Sequence, residues 1–191
     1  ASDVYKRQVG SMARVILDQK SNAILRQRLI SILSNLRFKG DQAVIGVFLE
    51  MLRYDLPLNA QKQALNGLRL VGDDRAARSL MDMLAAISSS TLRRDVARVM
   101  VELDAVGANR AIERLLRNNW PMEFRQYLLS LIQPTDLDAA LGIFETVSKS
   151  DEPLRVAGAK RIGAFKSPKF LEFVDEWHDA EPVSYTHLRA H

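Results

Sequence analysis

The residue types that could do chemistry are few and unevenly placed. The chain has no cysteine and three histidines, and only His178 lies away from the terminal segments. Asp175, His178 and Asp179 stand at i, i+3 and i+4, a spacing that puts all three on one helical face and could hold a metal. They also sit in a charged tail segment, where a solvated final helix accounts for them as well, so no metal ligand is assigned. The acidic pairs Asp73-Asp74 and Asp151-Glu152, with Asp136 and Asp138, could in principle act as paired carboxylates. Every one falls at or near an expected helix start, where a carboxylate accepts backbone N–H groups and complements the helix dipole. Capping is therefore their reading. No Ser-His-Asp set, phosphate-binding glycine loop or zinc spacing is present. No catalytic residue is assigned and no cofactor is called for.

Arginine offers more. Arg110, Arg114 and Arg117 fall at i, i+4 and i+7, on one face of a helix. Arg75 follows Gly72 by three residues, as Arg110 follows Gly107, and Arg78 comes one turn later. Forked guanidinium groups suit carboxylate or phosphate partners. Asp74, Asp82 and Glu113 could neutralise the same face, with Glu113–Arg117 an i, i+4 pair worth a few tenths of a kcal/mol. Trp120, before Pro121, either anchors a partner or folds back on a neighbouring helix. Arg93, Arg94 and Arg98 read as a solvated face. Phe124, Tyr127 and Phe144 have core spacing.

The elements that position these residues show a regular punctuation. Apolar helical stripes run through 22–36 (Ile24, Leu25, Leu29, Ile32, Leu33, Leu36), 44–52, 59–71 and 73–87. They continue through 91–103, 111–116, 124–132, 140–147 and 153–162, with a last stretch holding Leu171, Phe173, Val174 and Trp177. Asn59 and Thr91 are expected N-caps, and Pro153 suits a first helical turn. Val9–Leu17 reads as the remnant of a preceding helix. Mid-unit breaks at Gly40, Gly72, Gly107, Asp136 and Ser167 are separated by 32, 35, 29 and 31 residues. A period near 30 with two helices per unit is a repeat signature, because one short pair cannot bury its apolar faces alone.

LRVAGAKRIGAF at 154–165 and LVGDDRAARSLMDML at 70–84 resemble bacterial HEAT-like repeats of the bilin-lyase type. That repeat has an apolar-Arg start, a small residue three on, an aliphatic residue seven on, and Gly-Asp before its second helix. Arg155 with Gly158 and Ile162 follows the pattern, as does Arg125 with Leu128 and Ile132; Gln61 departs from it. The resemblance covers about 22–180 and implies an all-α fold: a right-handed α-α superhelix, or HEAT-like solenoid, of about five antiparallel helix pairs. It further implies that the second helix of each pair lines a concave groove. Arg75, Arg78, Arg110, Arg114 and Arg117, with Trp120, would then form a partner-binding surface there.

The expected function is a non-catalytic protein-interaction module or scaffold whose partner is another protein with an acidic surface. A bilin-lyase-like enzyme or accessory subunit is the first alternative, and a weak nucleic-acid binder the second. The ends, ASDVYKRQ (1–8) and SYTHLRAH (184–191), resemble translated sequencing-adapter peptides on metagenomic reading frames and do not match the internal helical pattern. Residues 9–183 are read as one solenoid, a fragment of a longer array. The net charge is +4; the tails hold Lys6, Arg7 and Arg189 against Asp3, leaving +2 for 9–183. So small an excess makes a nucleic-acid partner a poor expectation. No apolar run approaches the roughly 20 residues that span a bilayer, so no membrane partner is expected. Compartment is open, with the cytoplasm favoured.

Overall fold

The computed structural model describes residues 2–54, 56–134, 136–165 and 168. They form ten α-helices and no strand among the described residues. The helices are α1 (Ser2–Leu17), α2 (Ala23–Leu33), α3 (Gln42–Arg53), α4 (Leu58–Val71), α5 (Asp74–Met83), α6 (Ser90–Leu103), α7 (Ala108–Leu116), α8 (Met122–Ser130), α9 (Leu137–Ser148) and α10 (Glu152–Gly163). Short 3₁₀ turns follow α2 at Leu36–Phe38 and α5 at Leu84–Ala86. The chain forms two compact units, Ala1–Asp104 and Ala105–His191.

Helix starts follow from local chemistry. Asp41, Asp73 and Asp136 each accept backbone N–H bonds at the N-termini of α3, α5 and α9, as Asn22 does for α2 and Ser89 for α6. The capping role therefore describes Asp73 and Asp136 geometrically, with Asp74 and Asp138 in the first turns behind them. Two expected caps move. Pro57 rather than Asn59 precedes α4, and its carbonyl accepts from Ala60 and Gln61. Proline fixes an extended φ and supplies the carbonyl without needing a side-chain cap. Ser89 displaces Thr91 because its hydroxyl reaches Leu92 N at 3.3 Å.

In the first unit, α1, α3 and α5 pack in one row and α2, α4 and α6 in another, with α1–α2, α3–α4 and α5–α6 packed across the rows. In the second unit α7 packs on α9, α8 on α10, and the rows meet through α7–α8 and α9–α10. The closest hairpin of the first unit is thus α3–α4, joined around Pro57. Helices α4 and α5, joined at Gly72-Asp73, touch far less. Phe48, Met51, Ala64, Leu68, Leu80, Leu84 and Val96 are fully buried in the first unit; Ile112, Leu128, Ile132 and Phe144 are buried in the second.

Two sequence expectations need correction. Residues 2–8 continue the helical pattern rather than falling outside it, and with Val9–Leu17 they form one sixteen-residue helix, α1. Tyr5 Oη donates to Asp41 Oδ2 at 2.6 Å and its ring stacks on Phe38 at 6.3 Å. Removal from water, with the Asp41 carboxylate beside it, pushes the Tyr5 phenol up to about 12. The second correction concerns α2: of its expected inward stripe only Leu33 is fully buried, Leu29 is partly so, and Arg26 and Ile30 are buried beside it while Ile24, Leu25, Ile32 and Leu36 are exposed.

Arg26 is buried because it has work at a helix end. Its Nε donates to Ile16 O at 2.9 Å and its Nη2 to Asp18 O at 2.6 Å, at and just beyond the end of α1, where Asp18 O also accepts from Ser21 N at 3.0 Å. It is the fourth residue of α2. The fourth residues of α4 and α6 do the same: Gln61 donates to Tyr54 O at 3.4 Å, and Arg93 to Ile87 O. Arg26, Gln61 and Arg93 thus clamp the end of the preceding helix or turn, and Arg93, expected on a solvated face, is instead partly buried and bonded to Ile87 O.

Candidate partner-binding face

The arginines singled out by spacing divide between the two units. Arg75 and Arg78 are on α5 in the first; Arg110, Arg114 and Arg117 are on or beside α7 in the second. All five are exposed. Three are engaged locally. Arg78 Nη1 lies 2.8 Å from Asp74 Oδ2, Arg117 Nη2 lies 2.5 Å from Glu113 Oε1, and Arg110 Nε stands 3.9 Å from Asp136 Oδ2. These are solvent-facing pairs of small worth, which a partner carboxylate could displace at little cost. Arg75 and Arg114 carry no ion pair among the described residues.

Helix α7 positions its three arginines simply. Ala108, Ile112, Leu115 and Leu116 take the buried side, which leaves Arg110, Arg114 and Arg117 on the other. On α5, Ala76, Ala77, Leu80 and Met83 are buried while Arg75 and Arg78 point outward. Trp120 is half-buried and meets Phe124 edge-on, with ring centroids 5.3 Å apart. Most of the indole is therefore part of the packing at the start of α8. Phe124 and Phe144 are buried and Tyr127 stacks on Phe124 at 6.4 Å. Arg98 pairs with Asp95 at 2.8 Å on α6. Asp175, His178 and Asp179 lie outside the described residues, as do Ser167, Leu171, Phe173, Val174 and Trp177.

Two polar groups that matter were not singled out from sequence. Asn109 is 1% exposed. Its Nδ2 donates to Gln133 O at 2.7 Å and to Asp136 O at 2.8 Å, while its Oδ1 accepts from Gln133 N at 2.8 Å. It thus ties the start of α7 to the break before α9, and orients Asp136 beside Arg110. Lys39 has the matching place in the first unit: its Nζ donates to Gly72 O, while Gly40 N donates to Val71 O at 2.7 Å. Gln42 Nε2 adds a bond to Asp73 Oδ2 at 2.9 Å. An open cleft of about 570 Å³, with Tyr54, Asp82, Ser88 and Ser89 in its wall, also went unforeseen. Its wall residues come from four helices, α3 to α6, and the turn between α5 and α6, with no shared periodicity to mark them.

The chain matches no family model, and no curated protein aligns with it. No helix of the described residues is long and apolar enough to cross a membrane.

Proposed function

We propose that the protein is a HEAT-like α-solenoid acting as a protein-interaction module or scaffold, whose partner presents an acidic surface. One observation carries the reading: in each unit, successive helices stack in two rows with break docked on break. Side chains on the outer faces of such rows are held by their helices while remaining accessible, which suits a rigid recognition surface. The face of α7 is the binding surface, with Arg114 as its unpaired fork and Arg110 and Arg117 available by exchange of their carboxylate partners. Arg75 and Arg78 on α5 contribute a second, smaller basic set.

The test is replacement of Arg110, Arg114 and Arg117 by alanine. The partner is first identified by crosslinking and mass spectrometry, then purified. Its affinity for the variant should fall by about tenfold or more, since several charged contacts of 1–2 kcal/mol are lost together. The unfolding midpoint should move little, because exposed pairs contribute under about 1 kcal/mol. Unchanged affinity would remove the α7 face from the reading.

A further inference from the structure

The open cleft at the end of α3 is well supplied with hydrogen-bond acceptors and short of free donors. It measures about 570 Å³ and lies wholly in the first unit. Leu52, Met83 and Leu92 line it and are otherwise buried, so the surface they leave to the cleft is apolar.

The polar groups around it divide into those already engaged and those left open. Arg53 Nη1 donates to Glu50 Oε1 at 2.6 Å, and Gln61 Nε2 donates to Tyr54 O at 3.4 Å. The Ser89 hydroxyl accepts from Leu92 N at 3.3 Å as the cap of α6. Arg93 donates to Ile87 O and does not line the cleft. The Asp82 carboxylate and the Tyr54 and Ser88 hydroxyls, by contrast, have no partner among the described residues. The Gln61 amide oxygen is also open, since its nitrogen is the atom engaged. The cleft thus combines one unpaired charge, negative, with further acceptors and an apolar lining.

That inventory selects a ligand rich in donors, positively charged and on an aliphatic stem. A lysine ammonium or an arginine guanidinium has donors only, on a stem of methylenes. An acidic ligand would meet Asp82 as a like charge and would have to break the Arg53–Glu50 pair. Tyr54, 46% exposed, supplies an aromatic ring that a cation can approach. The cleft is open rather than enclosed. It therefore suits a side chain presented by a peptide better than a free small molecule, which a binding pocket usually surrounds on most sides.

We propose that the cleft takes a lysine or arginine side chain of a basic peptide. Asp82 pairs with the cation, Tyr54, Gln61 and Ser88 accept its remaining N–H groups, and its methylenes lie on Leu52, Met83 and Leu92. The charge is opposite to that sought by the α7 arginines, and the cleft belongs to the other unit, so the failure of either site leaves the other standing.

The test is titration of the isotope-labelled full chain with a blocked glycine pentapeptide that has lysine at its centre, followed by amide chemical shifts. The Ser88, Ser89 and Leu92 amides should shift with a dissociation constant of about 1 mM or below. Acetylating the lysine, or replacing it with norleucine, should weaken binding about fivefold or more, as for loss of one exposed ion pair. Asp82→Asn should do the same, and Tyr54→Leu should weaken binding about two- to fivefold. Both side chains are exposed, so the unfolding midpoint of each variant should stay near that of the wild type. Arg114→Glu on α7 should leave the titration unchanged. Absence of shifts at the cleft amides, binding that survives acetylation of the lysine, or equal binding by Asp82→Asn overturns the proposal. So does tighter binding of free cadaverine than of the lysine peptide, since a small amine would then be the occupant.

Discussion

Asn109 shows how much a single buried polar side chain can hold. It is nearly inaccessible, yet it has both a double donor and an acceptor in use, spanning 24 to 27 residues of sequence. Asn109→Ala would strand the Gln133 N–H and two carbonyls away from water. Allowing about 1–3 kcal/mol for burying an unsatisfied group, with some relief by water entry, the loss should be about 2–3 kcal/mol. Asn109→Asp should be worse, because a carboxylate would face the two carbonyls it now donates to. Urea unfolding at neutral pH measures both; equal midpoints for wild type and Asn109→Ala would show the network to be dispensable. Nothing in the sequence marked this residue. Asparagine two residues after Gly107 reads as an ordinary first-turn side chain, and its partners are identifiable only after the α7–α9 row is formed. The acidic caps are the opposite case. Asp73 and Asp136 bond to N–H groups two or three residues away, so sequence position alone reveals them.

At the scale of elements, the hydrophobic period located every described helix after α1 but not always its buried face. In α2 apolar residues occupy most of the circumference, so periodicity offers two adjacent faces and cannot choose between them. Burial falls on Ile30 and Leu33 because Arg26 must reach the end of α1, which fixes the rotation of the helix. Glycine is the converse problem, since Gly67 reads as a weak point in α4 and is instead a contact. The Phe48 ring occupies the space where a side chain would start, with its atoms 2.6–2.8 Å from an ideal Cβ. Phe48 is fully buried and has little room to retreat. Gly67→Ala should therefore cost about 1–3 kcal/mol of overpacking, offset by up to about 1 kcal/mol from alanine's better helix propensity. The net loss should be about 1–2 kcal/mol by denaturant unfolding. In a Phe48→Leu background the same change should be neutral or stabilising, because the ring is gone. A Gly67→Ala penalty that persists there would place the strain elsewhere.

At the scale of the whole chain, the recurring breaks were legible and their mechanical role was not. A spacing of about 30 residues between Gly40, Gly72, Gly107 and Asp136 is visible in the sequence. Glycine and aspartate there suggest simple helix stops and starts. Within each unit, however, one break is bonded to another: Gly40 N to Val71 O and Lys39 to Gly72 O in the first, Gln133 N to Asn109 Oδ1 in the second. Gly40 takes φ +75°, a conformation that glycine adopts without a side-chain clash. The breaks therefore act as rivets between successive helices rather than as hinges. Amide hydrogen exchange distinguishes these roles, because loop amides without structural partners exchange rapidly and those released only by subglobal opening exchange slowly. The Gly40 and Gln133 amides should be protected to about the level of the flanking helix interiors, at least a hundredfold above an open loop, equivalent to about 3 kcal/mol of opening free energy. Gly40→Ala should strain the left-handed turn and lower its local protection while leaving Gln133 in the other unit unchanged. Exchange of the wild-type Gly40 and Gln133 amides at open-loop rates would mean the breaks are hinges, and the rows would then depend on apolar packing alone.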